Sequence, residues 1–185
     1  MTVATHDIKF FNAQDLINDP TFLAELLDLV NRSYSHPPKG QAKTEGFRFD
    51  DAAEMLARLG SGTCAVLFIE GVPVATASLI PWKGDSMDTD DFELSTVACP
   101  PEWRQNGLAE ASCAAVEEVV VAQRSANPDS KNVRLWLLCG ETRAAPYWKR
   151  KGFVETERRI VPAGTWGMAH DFAILTMCRP ARKSA

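Results

Sequence analysis

Apolar residues Phe22, Leu23, Leu26, Leu27, Val30 and Tyr34 recur at three- and four-residue intervals, which predicts an amphipathic helix. Asp19-Pro20 opens it, with the proline in the first turn where its missing N–H costs little. Before it, Ile8–Phe11 is a short strand candidate, and after it Ser35 to Gly46 is a loop by its prolines and glycines. Ala53, Met55, Leu56 and Leu59 outline a second helix, capped by Asp50 or Asp51 and ended near Gly60. Thr63–Ile69 and Val74–Ile80 are rich in β-formers and predict a hairpin with Glu70-Gly71-Val72-Pro73 as its turn.

The second half alternates. Past an acidic loop (Asp85, Asp88, Asp90, Asp91), Phe92–Ala98 is a strand and Gly107–Ser125 a helix, apolar at Leu108, Ala111, Ala115, Val116, Val119 and Val120. Asn127-Pro128-Asp129 breaks that helix, and Val133–Cys139 is a continuous apolar run suited to a buried strand. Strand, helix and strand at this spacing form one right-handed parallel crossover. Thr142 is placed to cap a short helix running to Lys151, with Pro146 in its first turn and Gly152 at its end. Phe153–Val161 and Phe172–Cys178 close the chain as antiparallel strands joined by Pro162–His170. With no repeat and no linker, residues 1–185 are expected to form one α/β domain.

Composition narrows the partners. The chain has 185 residues and a formal net charge of −4, so it offers no broad basic footprint for nucleic acid. No apolar run approaches a membrane span, and the first twenty residues are too polar for a signal peptide, so a cytoplasmic protein is expected. Cys64, Cys99, Cys113, Cys139 and Cys178 are odd in number, lack a C-x-x-C pair and sit mostly in apolar patterns, which favours buried, reduced thiols. His6, His36 and His170 stand far apart, so no metal site is expected.

Chemistry concentrates at Arg104-Gln105-Asn106-Gly107-Leu108-Ala109, an Arg-x-x-Gly-x-Ala run between a strand and a helix. A helix start presents unpaired N–H groups at its positive end, where a diphosphate can sit. Gly107 adds no Cβ to obstruct such a group.

Two motifs in order carry a resemblance to the GCN5-related N-acetyltransferase (GNAT) superfamily. That family places a Gln or Arg-x-x-Gly-x-Gly or Ala run after its fourth strand, with a proline three residues earlier, here Pro101. It also carries an aromatic-rich helix ending in Gly-Phe, here Tyr147-Trp148-Lys149-Arg150-Lys151-Gly152-Phe153. Gly140 stands where many members have an Asn. The resemblance implies a GNAT fold: a mixed, mostly antiparallel sheet flanked by helices, with a parallel βαβ unit at the acetyl-CoA site. It implies acetyl-CoA as co-substrate and direct transfer to an amine.

By the same resemblance, Arg104, Gln105, Asn106, Gly107, Leu108 and Ala109 would hold the pyrophosphate, largely through backbone amides. Val97, Ala98 and Cys99 would seat the pantetheine arm and polarise the carbonyl, main-chain N–H groups being the usual device for acyl transfer. Tyr147 falls at the family's general-acid position. Glu93, eleven residues before Arg104, matches its base position in the histone-acetyltransferase branch. Such a carboxylate works as a base when burial raises its pKa. Asp91 and Ser95, on the same side of the strand, are the fallback. Cys99 is a poor candidate for a covalent route, having no His nearby in sequence.

Tyr34, His36, Phe47 and Trp166 are candidates for the acceptor pocket. The acidic stretch Asp85–Glu93 suits a cationic amine, whereas Arg32, Lys39, Lys43 and Arg48 suit a carboxylate-bearing one. The leading expectation is a small-molecule amine N-acetyltransferase, and the resemblance also allows a homodimer, dimers being common in the family. The alternatives are a protein acetyltransferase and a CoA-binding protein without catalysis.

Overall fold

The computed structural model describes residues 6–35, 47–84, 86–128, 130, 132–142, 144–165 and 168–182. In chain order the elements are β1 (His6–Phe11), α1 (Ala13–Asn18), α2 (Pro20–Tyr34), α3 (Ala52–Leu59), β2 (Thr63–Ile69), β3 (Val72–Pro81), β4 (Asp91–Ala98), α4 (Leu108–Ser125), β5 (Arg134–Gly140), α5 (Ala145–Arg150), β6 (Val154–Val161) and β7 (Phe172–Pro180). The strands form one sheet in the order β1-β2-β3-β4-β5-β7-β6. Every neighbouring pair is antiparallel except β4 and β5. The expected mixed sheet with one parallel βαβ unit is the sheet observed.

Alternation along the strands assigns the two faces. Ala65, Ala77, Leu79, Phe92, Leu94, Leu135 and Leu137 pack with Val116 and Val120 of α4. Cys64, Val66 and Ile80 point the other way, into a second core built from Leu16, Leu23, Leu26, Leu29 and Val30 of α1 and α2 and Met55 and Leu59 of α3. The helices thus flank the sheet on both sides, with α4 and α5 opposite α1 to α3.

Local chemistry explains the boundaries. Asp19 and Asp51 cap α2 and α3 through their side chains, bonding Phe22 N and Glu54 N. Helix α1 was not expected; Asn12 and Asp15 close a capping box around this six-residue helix. The β2–β3 turn is tighter than the sequence suggests. Ile69 pairs with Val72, leaving only Glu70 and Gly71, both with positive φ (51° and 80°), as the loop. Two left-handed residues twist the chain in the sense the strands require, so Val72 and Pro73 join the strand. Helix α5 is likewise shorter than expected, starting from Ala144 with no side-chain cap, so Thr142 is not its cap.

Candidate active site

Strand β4 is bent where it leaves its neighbours. Ser78 of β3 pairs with Ser95, yet Thr76 pairs with Ala98, so three steps on β4 oppose two on β3. Thr96, with φ of 47°, sits in this irregularity. On the other edge, β4 pairs with β5 only at Asp91, Phe92 and Glu93, opposite Arg134, Leu135 and Trp136. Beyond Glu93 the two parallel strands separate, and Val97, Ala98 and Cys99 lie at the open end. Tyr34 of α2 reaches this point, its hydroxyl donating to the Val97 carbonyl at 3.0 Å. Burial raises the Cys99 thiol pKa, which keeps it protonated and unsuited to nucleophilic attack.

The turn into α4 presents backbone donors. Gln105 and Gly107 both have positive φ (67° and 75°). The first helical bond runs from Ala111 N to Gly107 O at 2.9 Å, so the amides of Leu108, Ala109 and Glu110 have no partner inside the helix. Gly107 is the N-cap and provides no side chain to occupy them. A Cβ built on Gly107 meets no atom within 4 Å, so the space beside this N-cap is open. Unsatisfied donors, a positive helix end and open space together fit a diphosphate.

Arg104 does something else. Its Nε donates to Cys99 O at 3.1 Å and its Nη2 to Ser33 O at 2.7 Å, tying the end of β4 to the end of α2. The Asn106 side chain turns back to the Trp103 and Arg104 carbonyls, at 3.3 and 3.2 Å. These two side chains brace the turn through carbonyls rather than through its amides.

Tyr147 stands on α5, on the α4 side of the sheet. Its ring meets Trp148 edge-on at 4.9 Å, and Lys151 Nζ lies 5.5 Å from its centroid. Burial, then the proximity of Cys113 and Glu110 on α4, pushes the phenol up to about 12. It therefore carries its proton throughout the neutral range.

Glu93 lies on the opposite face, since its neighbours Phe92 and Leu94 enter the α4 core. It is buried, and Arg58 of α3 forms an ion pair with its Oε1. Burial raises its pKa, and the nearby guanidiniums of Arg58 and Arg48 offset only part of that rise. It borders a cleft of about 280 Å³ with Ala57, Arg58, Gly60, Ser61, Pro81 and Trp82. Trp82 stacks on Trp136 at 5.1 Å, with the rings 7° from parallel, which fixes one wall. Ser95 shares the face of Glu93 and is buried.

Asp91 is differently placed. Burial acts to raise its pKa, but hydrogen bonds from Arg134 and Trp136 and the Arg134 charge outweigh it and leave the pKa lowered. The rest of the acidic loop is also engaged. Arg124 pairs with both Asp88 and Asp90, and Ser130 donates to Asp90 at 2.7 Å. These carboxylates are held by α4 and its C-terminal turn rather than offered to a cationic acceptor; Asp85 lies outside the described residues.

Of the acceptor-pocket candidates, Tyr34 adjoins the bulge and Phe47 is 68% exposed. His36 and Trp166 lie outside the described residues. Sequence reasoning missed Arg58, Trp82 and Trp136, which surround Glu93, because each comes from a different element and no spacing links them. It also missed Asn31, whose buried side chain accepts from Arg48 N and Phe49 N and donates to Phe49 O. Only the oddity of an Asn on the apolar stripe of α2 signalled it.

The acetyltransferase (GNAT) family model matches residues 23–153. No curated protein matches the chain. Several solved structures share the fold over nearly its full length. The Escherichia coli ribosomal-protein-S18-alanine N-acetyltransferase is 16% identical with a TM-score of 0.66, over 98% of this chain and 97% of that one. Ard1 from Thermoplasma volcanium is 16% identical with a TM-score of 0.64, over 98% and 100%. The structure of yncA from Salmonella typhimurium with its cofactor acetyl-CoA is 18% identical with a TM-score of 0.62, over 97% and 96%.

Proposed function

The chain belongs to the acetyltransferase (GNAT) family, and on that premise we propose that it transfers the acetyl group of acetyl-CoA directly to a primary amine of a small molecule. The observation that carries this reading is Glu93, a buried carboxylate of raised pKa bordering a cleft of about 280 Å³ beside the point where β4 and β5 part. Acetyl-CoA supplies the activated thioester; the chain supplies position and proton transfer.

The amides at the start of α4 hold the diphosphate, and the gap between β4 and β5 admits the pantetheine arm. Main-chain groups from Val97 to Cys99 meet the thioester end, where an N–H aimed at the carbonyl oxygen lowers the barrier. The amine enters from the α3 side. An ammonium has no lone pair, so Glu93 takes its proton, directly or through water. On the α5 side Tyr147 donates a proton to the departing sulfur. Acid and base therefore work from opposite faces of the sheet, with the open seam between them. A cleft this small lies just below the range that encloses drug-sized ligands, which favours a compact acceptor over a folded protein.

An amine panel assayed by thiol release from acetyl-CoA tests the reading. Turnover of small amines that collapses in Glu93→Gln supports it. Turnover confined to peptide N-termini or protein lysines redirects it, and coenzyme binding without any acetyl transfer rejects catalysis.

A further inference from the structure

Arg58 plays no part in the reaction just described, yet it occupies the mouth of the acceptor cleft. Its side chain retains 35% exposure, against 9% for the Glu93 side chain behind it. A ligand entering the cleft meets a guanidinium first and a carboxylate second. Arg48, stacked on Phe49 at 5.2 Å and on Tyr34 at 5.5 Å, brings a second guanidinium near the same carboxylate. Among the described residues of the acidic loop, Asp91 is held by a bidentate Arg134, and Asp88 and Asp90 by Arg124.

A cation and an anion side by side in a concave, half-desolvated site complement a ligand of the reverse order. One functional group of such a ligand is the amine that the reaction requires. The other is an acid. A polyamine, by contrast, would place its second cation against Arg58, and like charges in a partly buried site repel strongly.

We propose that the acceptor is a small amine that also carries an acidic group, as an amino acid does, with Arg58 receiving the acid and Glu93 the amine. The proposal rests on the acetyltransfer reading and deepens it. The planar guanidinium suits a carboxylate or a phosphonate through paired N–H donors. The stacked Trp82 wall takes the apolar part of the acceptor, and the cleft volume limits its size.

The test uses amino acids, their carboxamides and their decarboxylated amines, with spermidine as the polycationic member. Thiol release is followed for wild type, Arg58→Gln and Arg58→Lys. The acid-bearing member is expected to exceed its amide in kcat/KM by about tenfold or more, the worth of a hydrogen-bonded charge contact. Arg58→Gln should bring that ratio close to one, mainly through KM, and Arg58→Lys should recover part of it. The ratio matters because loss of Arg58 also disturbs Glu93, and that disturbance affects acid and amide alike. Equal or better turnover of the amides or of spermidine by wild type, or an unchanged ratio in Arg58→Gln, overturns the proposal and leaves acetyltransfer standing.

Calorimetry on the CoA-loaded protein gives a readout free of turnover. Amino-acid binding that exceeds amide binding and is lost in Arg58→Gln supports the anion site even if no amine is acetylated. Equal binding of both overturns it.

Discussion

The hydroxyl of Tyr34 and the carbonyl of Val97 are hydrogen-bonded at 3.0 Å across 63 residues of sequence, fastening the end of α2 to the bulge of β4. The bond fixes a strand segment that has left its regular ladder, and it does so beside the seam that separates β4 from β5. Tyr34→Phe leaves a partly buried carbonyl without this donor. The expected cost is about 1 kcal/mol, or a fall in Tm of roughly 2–4 °C for a chain of this size. Acetyl-CoA affinity should weaken in parallel if the released segment holds the thioester as proposed. A melt and a calorimetric titration of the variant check both; an unaltered melting curve removes the bond from the account of the bulge.

Arg104 adjoins the amide-rich turn but spends its guanidinium on Cys99 and Ser33. A phosphate contact and a backbone staple predict different behaviour. If the side chain neutralised a phosphate, Arg104→Ala would reduce the salt dependence of coenzyme binding. The observed bonds predict instead a loss of stability, about 1–3 kcal/mol for two charge-assisted bonds to carbonyls. The dependence of Kd on ionic strength should match wild type. Titrations at low and high salt, beside a denaturant curve, separate the two roles.

Much of this architecture was written in local patterns. Alternation in β2 and β3 and the three- and four-residue spacing in α2 and α4 depend on neighbours along the chain, so those elements were legible. So was the glycine-capped start of α4, because Gly107 and the first turn of that helix lie in one short segment. What escaped depends on tertiary meeting. Arg58 reads as a solvated residue of an amphipathic helix until α3 sets it against Glu93, 35 positions away. The acidic loop reads as an attractive field until Arg124 and Arg134 arrive from other elements. The turn at Glu70 and Gly71 was misjudged because Pro73 suggested a break, whereas its fixed φ is compatible with a strand and its missing N–H is tolerated near a strand's start.

As the proposed base, Glu93 would link activity and stability to one titration with opposite signs. Burial raises its folded pKa above the ordinary carboxylate value. Folded protein then binds the proton more tightly than unfolded chain. Stability therefore decreases as pH rises from the ordinary carboxylate range through the folded value. A base must be deprotonated, so kcat/KM increases over that same interval. Glu93→Gln should abolish the acidic limb, lower kcat by roughly 10²–10⁴-fold, and flatten the stability profile in that window. A pH–rate series and urea curves across the same pH values test the pairing. An acidic limb that persists in the variant assigns the base elsewhere.

Tyr147 makes the complementary claim at the alkaline end. A free phenol titrates near 10, and here burial first, then Cys113 and Glu110, lifts the value to about 12. The proton is therefore available through the neutral and mildly alkaline range, and an alkaline decline in activity that sets in well below that value must belong to another group. Holding the proton so firmly also makes donation to a thiolate uphill unless the transfer accompanies C–S cleavage, since a thiol titrates near 8.5. Tyr147→Phe keeps the ring, its edge-on packing against Trp148 and the Lys151 contact, and removes only the hydroxyl. Turnover should fall by roughly 10²-fold or more while the Kd for acetyl-CoA stays within about twofold. A donor with a more acidic leaving thiol needs the proton less, so the defect should shrink with such a thioester. Equal rates for mutant and wild type with acetyl-CoA, or a defect independent of the leaving group, would take Tyr147 out of the proton transfer.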